Sequence, residues 1–228
     1  MPEFVLYDDG KVIFNGSKDA GAYKLFTASL SPSEVDALMT RVDAREFDSY
    51  SDSYSIGSEY TVTDLPSPFL MMRRPDGTYK RILLYGSLSE KADPKYRVQN
   101  IPLALVEAFR FLWNYQSPKA VGWRPKYFET IVSPYDGESK KSVKWNKTLP
   151  DLNDSKTVPF KRENIQHFSI FVPEALERPF ALTIHKLRRS NAALTMNGKR
   201  WNLSYRFPFP SERVWLAGSD GKMFRDEK

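Results

Sequence analysis

A chain of 228 residues, 41% of them apolar and with a formal charge of +6, holds enough core-forming material for one large domain or two small ones. No run approaches the roughly 20 apolar residues of a membrane-spanning helix, and the N-terminus lacks the charged and apolar regions of a signal peptide. Cysteine is absent, which excludes disulfides, thiolate nucleophiles and Cys-ligated zinc.

In chain order, Phe4-Val5-Leu6-Tyr7 and Lys11-Val12-Ile13-Phe14 flank Asp8-Asp9-Gly10, the composition of a β-hairpin. The two aspartates there suit the turn, because Asp side chains bond their own backbone. Asn15-Gly16 and Gly21 mark a loop. At Leu30-Ser31-Pro32-Ser33-Glu34 a helix opens: Ser31 caps, Pro32 fits the first turn, Glu34 sits three residues after Ser31, and Val35, Leu38, Met39 and Val42 share a face. From Phe47 to Gly57 the pattern loses periodicity and predicts a loop carrying Asp48 and Asp52. Thr61-Val62-Thr63 resumes a strand. Phe69 to Met72 and Tyr79 to Tyr85 form a further hairpin about Pro75-Asp76-Gly77, ending at Gly86. Pro102 to Trp113 has helix formers with apolar residues at three and four spacing, so a second, largely buried helix follows and stops at Ser117-Pro118.

Residues 116–122 are the best candidate linker, since a helix end, Pro and Gly coincide there with a change of charge balance. Residues 1–116 carry 13 basic and 16 acidic side chains, and 117–228 carry 21 and 12, so the halves net −3 and +9. The expected organisation is a hairpin-and-helix domain over 1–116 and a basic, β-rich domain over 117–228, unless the two are continuous. In the second half Tyr127 to Val132 alternates as a strand, a turn follows at Ser133-Pro134-Tyr135-Asp136-Gly137, and residues 138–164 predict a long, polar, basic surface loop. Gln166 to Val172 and Phe180 to Leu187 predict strands joined by a short helical turn from Pro173 to Leu176. Leu194-Thr195-Met196 and Trp201 to Arg206 alternate about Asn197-Gly198, which supplies the positive φ of a type I′ hairpin. Phe207-Pro208-Phe209-Pro210 then takes the chain out of the sheet, because proline cannot donate to a ladder. Ser211 and Glu212 close the motif before Val214 and Trp215. With 14% aromatic residues, the fold class is α+β and β-rich: antiparallel, hairpin-built sheets with two main helices packed on them.

Chemistry is sparse. His167 and His185, both on predicted strands, could with Glu129 form a zinc site if the strands are neighbours, but no HExxH or comparable spacing accompanies them. No G-x-S-x-G elbow or helical S-x-x-K points to an activated serine, and no glycine pattern for phosphate is present, so neither a catalytic residue nor a cofactor is expected, and nucleic acid is not the expected partner. A carboxylate-based hydrolase is an alternative, with Asp48, Asp52, Asp64 and Glu212 as its candidate acids. The most site-like feature is Trp145 in the basic loop, flanked by Lys140, Lys141, Lys144 and Lys147: an exposed aromatic face stacks on a sugar while cations hold anionic groups. Trp201, by its alternation, is expected in the core, and Trp123 and Trp215 complete the later tryptophans.

Phe4-Val5-Leu6-Tyr7 with Asp9-Gly10 and Val12-Ile13, Val62-Thr63-Asp64, Asp76-Gly77 with Leu84-Tyr85-Gly86, Trp145 with Leu149-Pro150-Asp151-Leu152, and Tyr205-Arg206-Phe207-Pro208-Phe209-Pro210-Ser211-Glu212 together resemble a family of uncharacterised bacterial extracytoplasmic proteins, many of them predicted lipoproteins. The cysteine pair that some similar proteins carry is missing from this chain. The resemblance implies a secreted, periplasmic or lipid-anchored location, with the targeting segment outside this sequence, and carries no activity over to this chain. The expected function is non-catalytic recognition of an anionic or glycan-containing envelope component. A third possibility is docking of an acidic envelope protein on the basic half, as a partner or inhibitor.

Overall fold

The alternating runs form strands that pair mostly antiparallel, and helices cap the layers where the apolar period changes from two to three and four. The structure, a computed structural model, describes residues 3–16, 24–60, 62–162 and 164–211. Gly21, Thr61, Glu212, Val214 and Trp215 lie outside the described residues. The chain divides into two units, Pro2–Trp123 and, apart from Met1, Arg124–Lys228.

The first unit contains β1 (Phe4–Leu6), β2 (Lys11–Asn15), β3 (Leu25–Ser29), α1 (Pro32–Arg41), β4 (Ser53–Ser55), β5 (Phe69–Arg73), β6 (Tyr79–Tyr85), α2 (Leu103–Trp113) and β7 (Val121–Gly122). One sheet runs β1-β2-β3-β7 and the other β4-β6-β5. At the first hairpin Gly10 takes φ 79° and its carbonyl accepts from Leu30 N at 2.9 Å. A Cβ there would sit 2.6 Å from the Leu30 carbonyl oxygen, so only glycine fits. α1 begins with the expected capping box: Ser31 Oγ accepts from Glu34 N at 3.3 Å and the Glu34 carboxylate from Ser31 N at 2.7 Å. Lys119 Nζ lies 2.7 Å from Glu34 and, with Ser31, holds that carboxyl down at about 2. Leu38 of this helix and Val42, its C-cap, pack with Val12, Phe14, Ala108 and Tyr115; Leu105 and Phe109 of α2 pack with Phe47, Ile82 and Leu84.

Two expectations fail in this unit. Phe47 to Gly57 is not all loop: a 3-10 turn covers Phe47–Ser49 and β4 pairs parallel with β6. Val62 and Thr63 lie outside any strand. The unit's end also differs, because β7 adds to β3 and Trp123 N donates to Leu25 O at 2.9 Å. Residues 117–123 therefore belong with the first unit.

The second unit contains β8 (Tyr127–Pro134), β9 (Ser142–Lys144), β10 (Val158–Arg162), β11 (Ile165–Pro173), α3 (Glu177–Ser190), β12 (Ala193–Met196) and β13 (Lys199–Arg206). Among the described residues its strands form one sheet of order β10-β11-β8-β13-β12-β9, antiparallel except where β9 meets β12. The last hairpin is as expected, with Asn197 at φ 50° and Gly198 at φ 73°. One face of the sheet, carrying Phe128, Val132, Ile170, Val172, Leu194 and Trp201, packs on Phe180, Ile184 and Leu187.

Those last three residues correct the expected strand over Phe180 to Leu187, which is the middle of a third helix. Phe180, Thr183, Ile184 and Leu187 recur at three and four spacing and form its buried face. Their aromatic and β-branched character suggests a strand, but packing of that stripe decides the conformation. Asn191, at φ 45°, ends the helix. The expected loop over 138–164 contains β9 and β10, both at sheet edges. The fold remains α+β and β-rich, with antiparallel and mixed sheets.

Candidate functional site

The basic segment after β8 is built by short-range bonds onto β12 and β13. Tyr135 N donates to Arg200 O at 3.2 Å, and Asn202 Nδ2 reaches both Pro134 O at 3.2 Å and Asp136 Oδ1 at 2.9 Å. That amide holds the Asp136 carboxyl below the usual carboxylate range. The Tyr135 hydroxyl accepts from Ser139 N at 3.1 Å, while the Arg200 guanidinium lies over the Tyr135 ring at 4.5 Å and donates to Ser139 O. Ala193 N donates to Lys141 O at 3.1 Å and Trp145 N to Thr195 O at 2.8 Å, so both ends of β9 are fixed to the edge of the sheet.

Within β9 the alternation is plain. Val143 packs against the core and Lys144 points to the other side, next to Thr195 and Arg200 in the register. Trp145 continues the inward series. Its ring is 7% exposed, meets Phe180 edge-on at 6.5 Å and donates from Nε1 to Pro150 O at 2.8 Å. Here the expectation of an exposed aromatic face is overturned: Trp145 is a core residue that pins the loop, and it has no free ring face to offer a sugar. Trp201 is buried as expected, with Nε1 donating to Met196 O at 3.1 Å.

Lys140, Lys141, Lys144 and Lys147 are all exposed, and among the described residues none of the four forms an ion pair. Four uncompensated cations within eight residues, joined by Arg200, make a surface to which anions are drawn.

The other candidates are dispersed. His167 is half-buried on β11 and stacks on Phe160 at 5.2 Å, whereas His185 is exposed on α3, so the two imidazoles are not strand neighbours. Among the described residues no group of three His, Asp or Glu side chains is placed to hold a metal ion, Glu129 included. Glu129 is 1% exposed on the far face of the sheet, where Ser169 Oγ donates to it at 2.7 Å and Arg206 approaches at 2.6 Å. That cluster escapes a sequence reading, although cross-strand pairing of β8 with β13 sets Glu129 opposite Arg206. Ser169 donates its hydrogen bond to a carboxylate that a guanidinium already holds, so the cluster joins strands rather than activating a hydroxyl. In the first unit Asp48 is held by Arg74 at 2.8 Å and Asp52 by Lys80 at 3.1 Å. Lys80 is itself buried and donates to Tyr50 O at 2.6 Å, so these acids belong to a clasp on the 48–52 segment. Asp64, exposed at φ 62°, takes part in none of these contacts.

Residues 3–101 match the family described as a domain of unknown function (DUF6438). The match falls within the first unit and leaves the basic segment outside it. No curated protein and no solved structure matches the chain. Among the described residues no helix is long and apolar enough to cross a membrane.

Proposed function

We propose that the protein is a non-catalytic, extracytoplasmic binding module whose second unit holds an anionic polymer of the bacterial envelope through Lys140, Lys141, Lys144 and Lys147, with Arg200 beside them. One observation carries this reading: four exposed lysines that form no ion pair among the described residues stand on a segment tied to the sheet by β9 and Arg200. Anchoring matters, because a cation on a fixed segment loses less freedom on binding than one on a free loop. The burial of Trp145 turns the reading from sugar stacking towards charge. The compartment rests on the family resemblance carried by the segments from Phe4 to Glu212.

Retention of the full chain on immobilised long-chain polyphosphate and on polygalacturonate, with Lys140→Glu and Lys144→Glu combined, tests the proposal. Retention that weakens with salt and falls in the double variant is the expected result. Retention equal in the two proteins, or none at low salt, overturns it.

A further inference from the structure

The outer face of α3 is a second cationic surface, separate in sequence from the lysine segment. Its buried stripe is Phe180, Thr183, Ile184 and Leu187. At 100° per residue the opposite direction falls on Arg178, His185 and Arg189, with Leu182 and Lys186 beside them, and all five are exposed. The face spans ~16 Å from Arg178 to Arg189 at the helical rise. The helix's one acid, Glu177, is paired with Arg124 at 3.0 Å, and among the described residues Arg178, Lys186 and Arg189 form no ion pair. In the midst of these cations Leu182 is 54% exposed.

We propose that this face docks on an anionic phospholipid bilayer. The cations would lie in the headgroup layer and Leu182 would reach the acyl region beneath them. Charge complementarity selects an anionic surface, and Leu182 selects among such surfaces. Against a phosphate backbone an exposed leucine between cations gains nothing, whereas a bilayer offers apolar depth directly under its charges. The helix presents these cations on one exposed face, as a flat partner requires. This docking stands apart from polymer binding by the lysine segment, since it uses different residues and a different class of partner.

The test is sedimentation of the full chain with vesicles of phosphatidylcholine containing roughly one third phosphatidylserine, at about 0.1 M salt, with pure phosphatidylcholine as control. Each Lys or Arg near such a surface contributes about five-fold in partitioning, so Arg178→Gln, Lys186→Gln and Arg189→Gln together should lower it on the order of 100-fold. All three side chains are exposed, so the fold is retained, which circular dichroism checks. Leu182→Ser, with the cations intact, should lower partitioning about five-fold and leave polyphosphate retention unchanged. Absence of binding to the anionic vesicles, equal binding by the triple variant, indifference to Leu182→Ser, or binding of duplex DNA through the same residues in place of vesicles overturns the proposal. Vesicle failure with polyphosphate retention intact removes this inference alone, and the reverse removes the polymer reading alone.

Discussion

Replacing Trp145 separates the two roles that an aromatic residue in a basic loop can have. The ring is nearly enclosed, touches Phe180 and gives its N–H to the Pro150 carbonyl. Trp145→Ala removes that packing and leaves a cavity, at a cost of about 3–5 kcal/mol, while Trp145→Phe keeps much of the ring but strands the carbonyl, costing about 2 kcal/mol. Denaturant unfolding of the full chain measures the loss, and hydrogen exchange assigns it to residues 142–152 and α3 rather than to the first unit. Because the ring is not at the surface, folded Trp145→Phe should keep its retention on polyphosphate and polygalacturonate. A Phe variant as stable as the parent that no longer binds polygalacturonate would refute this reasoning and return the ring to the ligand.

Further outcomes concern stability. Gly10→Ala should cost about 2–3 kcal/mol in the first unit, since φ 79° is strained for alanine and its Cβ meets the Leu30 carbonyl oxygen; chemical denaturation reads it. Glu129→Ala should cost about 3 kcal/mol by removing the buried partner of Arg206 and Ser169, and adding Arg206→Ala should cost less than the sum of the two single changes. The Glu34 carboxyl, held at about 2 chiefly by Lys119 and then by Ser31, has a folded value below its ordinary 4.5. Its contribution is therefore fully present above about pH 4.5 and lost as the pH falls towards about 2, so Glu34→Gln should differ from the parent at neutral pH and converge with it at the acid end of a stability titration.

Short-range features of the fold were legible in the chain. The Asn197-Gly198 and Asp9-Gly10 turns demand positive φ, and the Ser31 to Glu34 box names its own partners, so each is decided within a few residues. The errors arise where tertiary packing decides. Phe180, Thr183 and Ile184 favour strands by type, yet their spacing with Leu187 is helical and the sheet's apolar face selects the helix. The basic face of α3 is invisible until that helix is recognised. In the 138–164 segment a density of Lys, Ser and Pro obscures a four-residue alternation, Ser142-Val143-Lys144-Trp145, which correctly followed would have placed Lys144 outside and Trp145 inside. The parallel partners β4 and β9 are short strands whose pairing depends on distant chain, so no local pattern announces them. Glu129 reads as one acid among 28; only the register with β11 and β13 shows that it is enclosed.

The most direct measurement is the salt dependence of polyphosphate affinity for the full chain and for the variant with Lys140, Lys141, Lys144 and Lys147 all changed to Gln. If these lysines hold the polymer, the slope of log affinity against log salt becomes shallower by about 3, at roughly 0.7–0.9 for each phosphate that a lysine neutralises. An unchanged slope would place the polymer elsewhere on the protein and contradict the account.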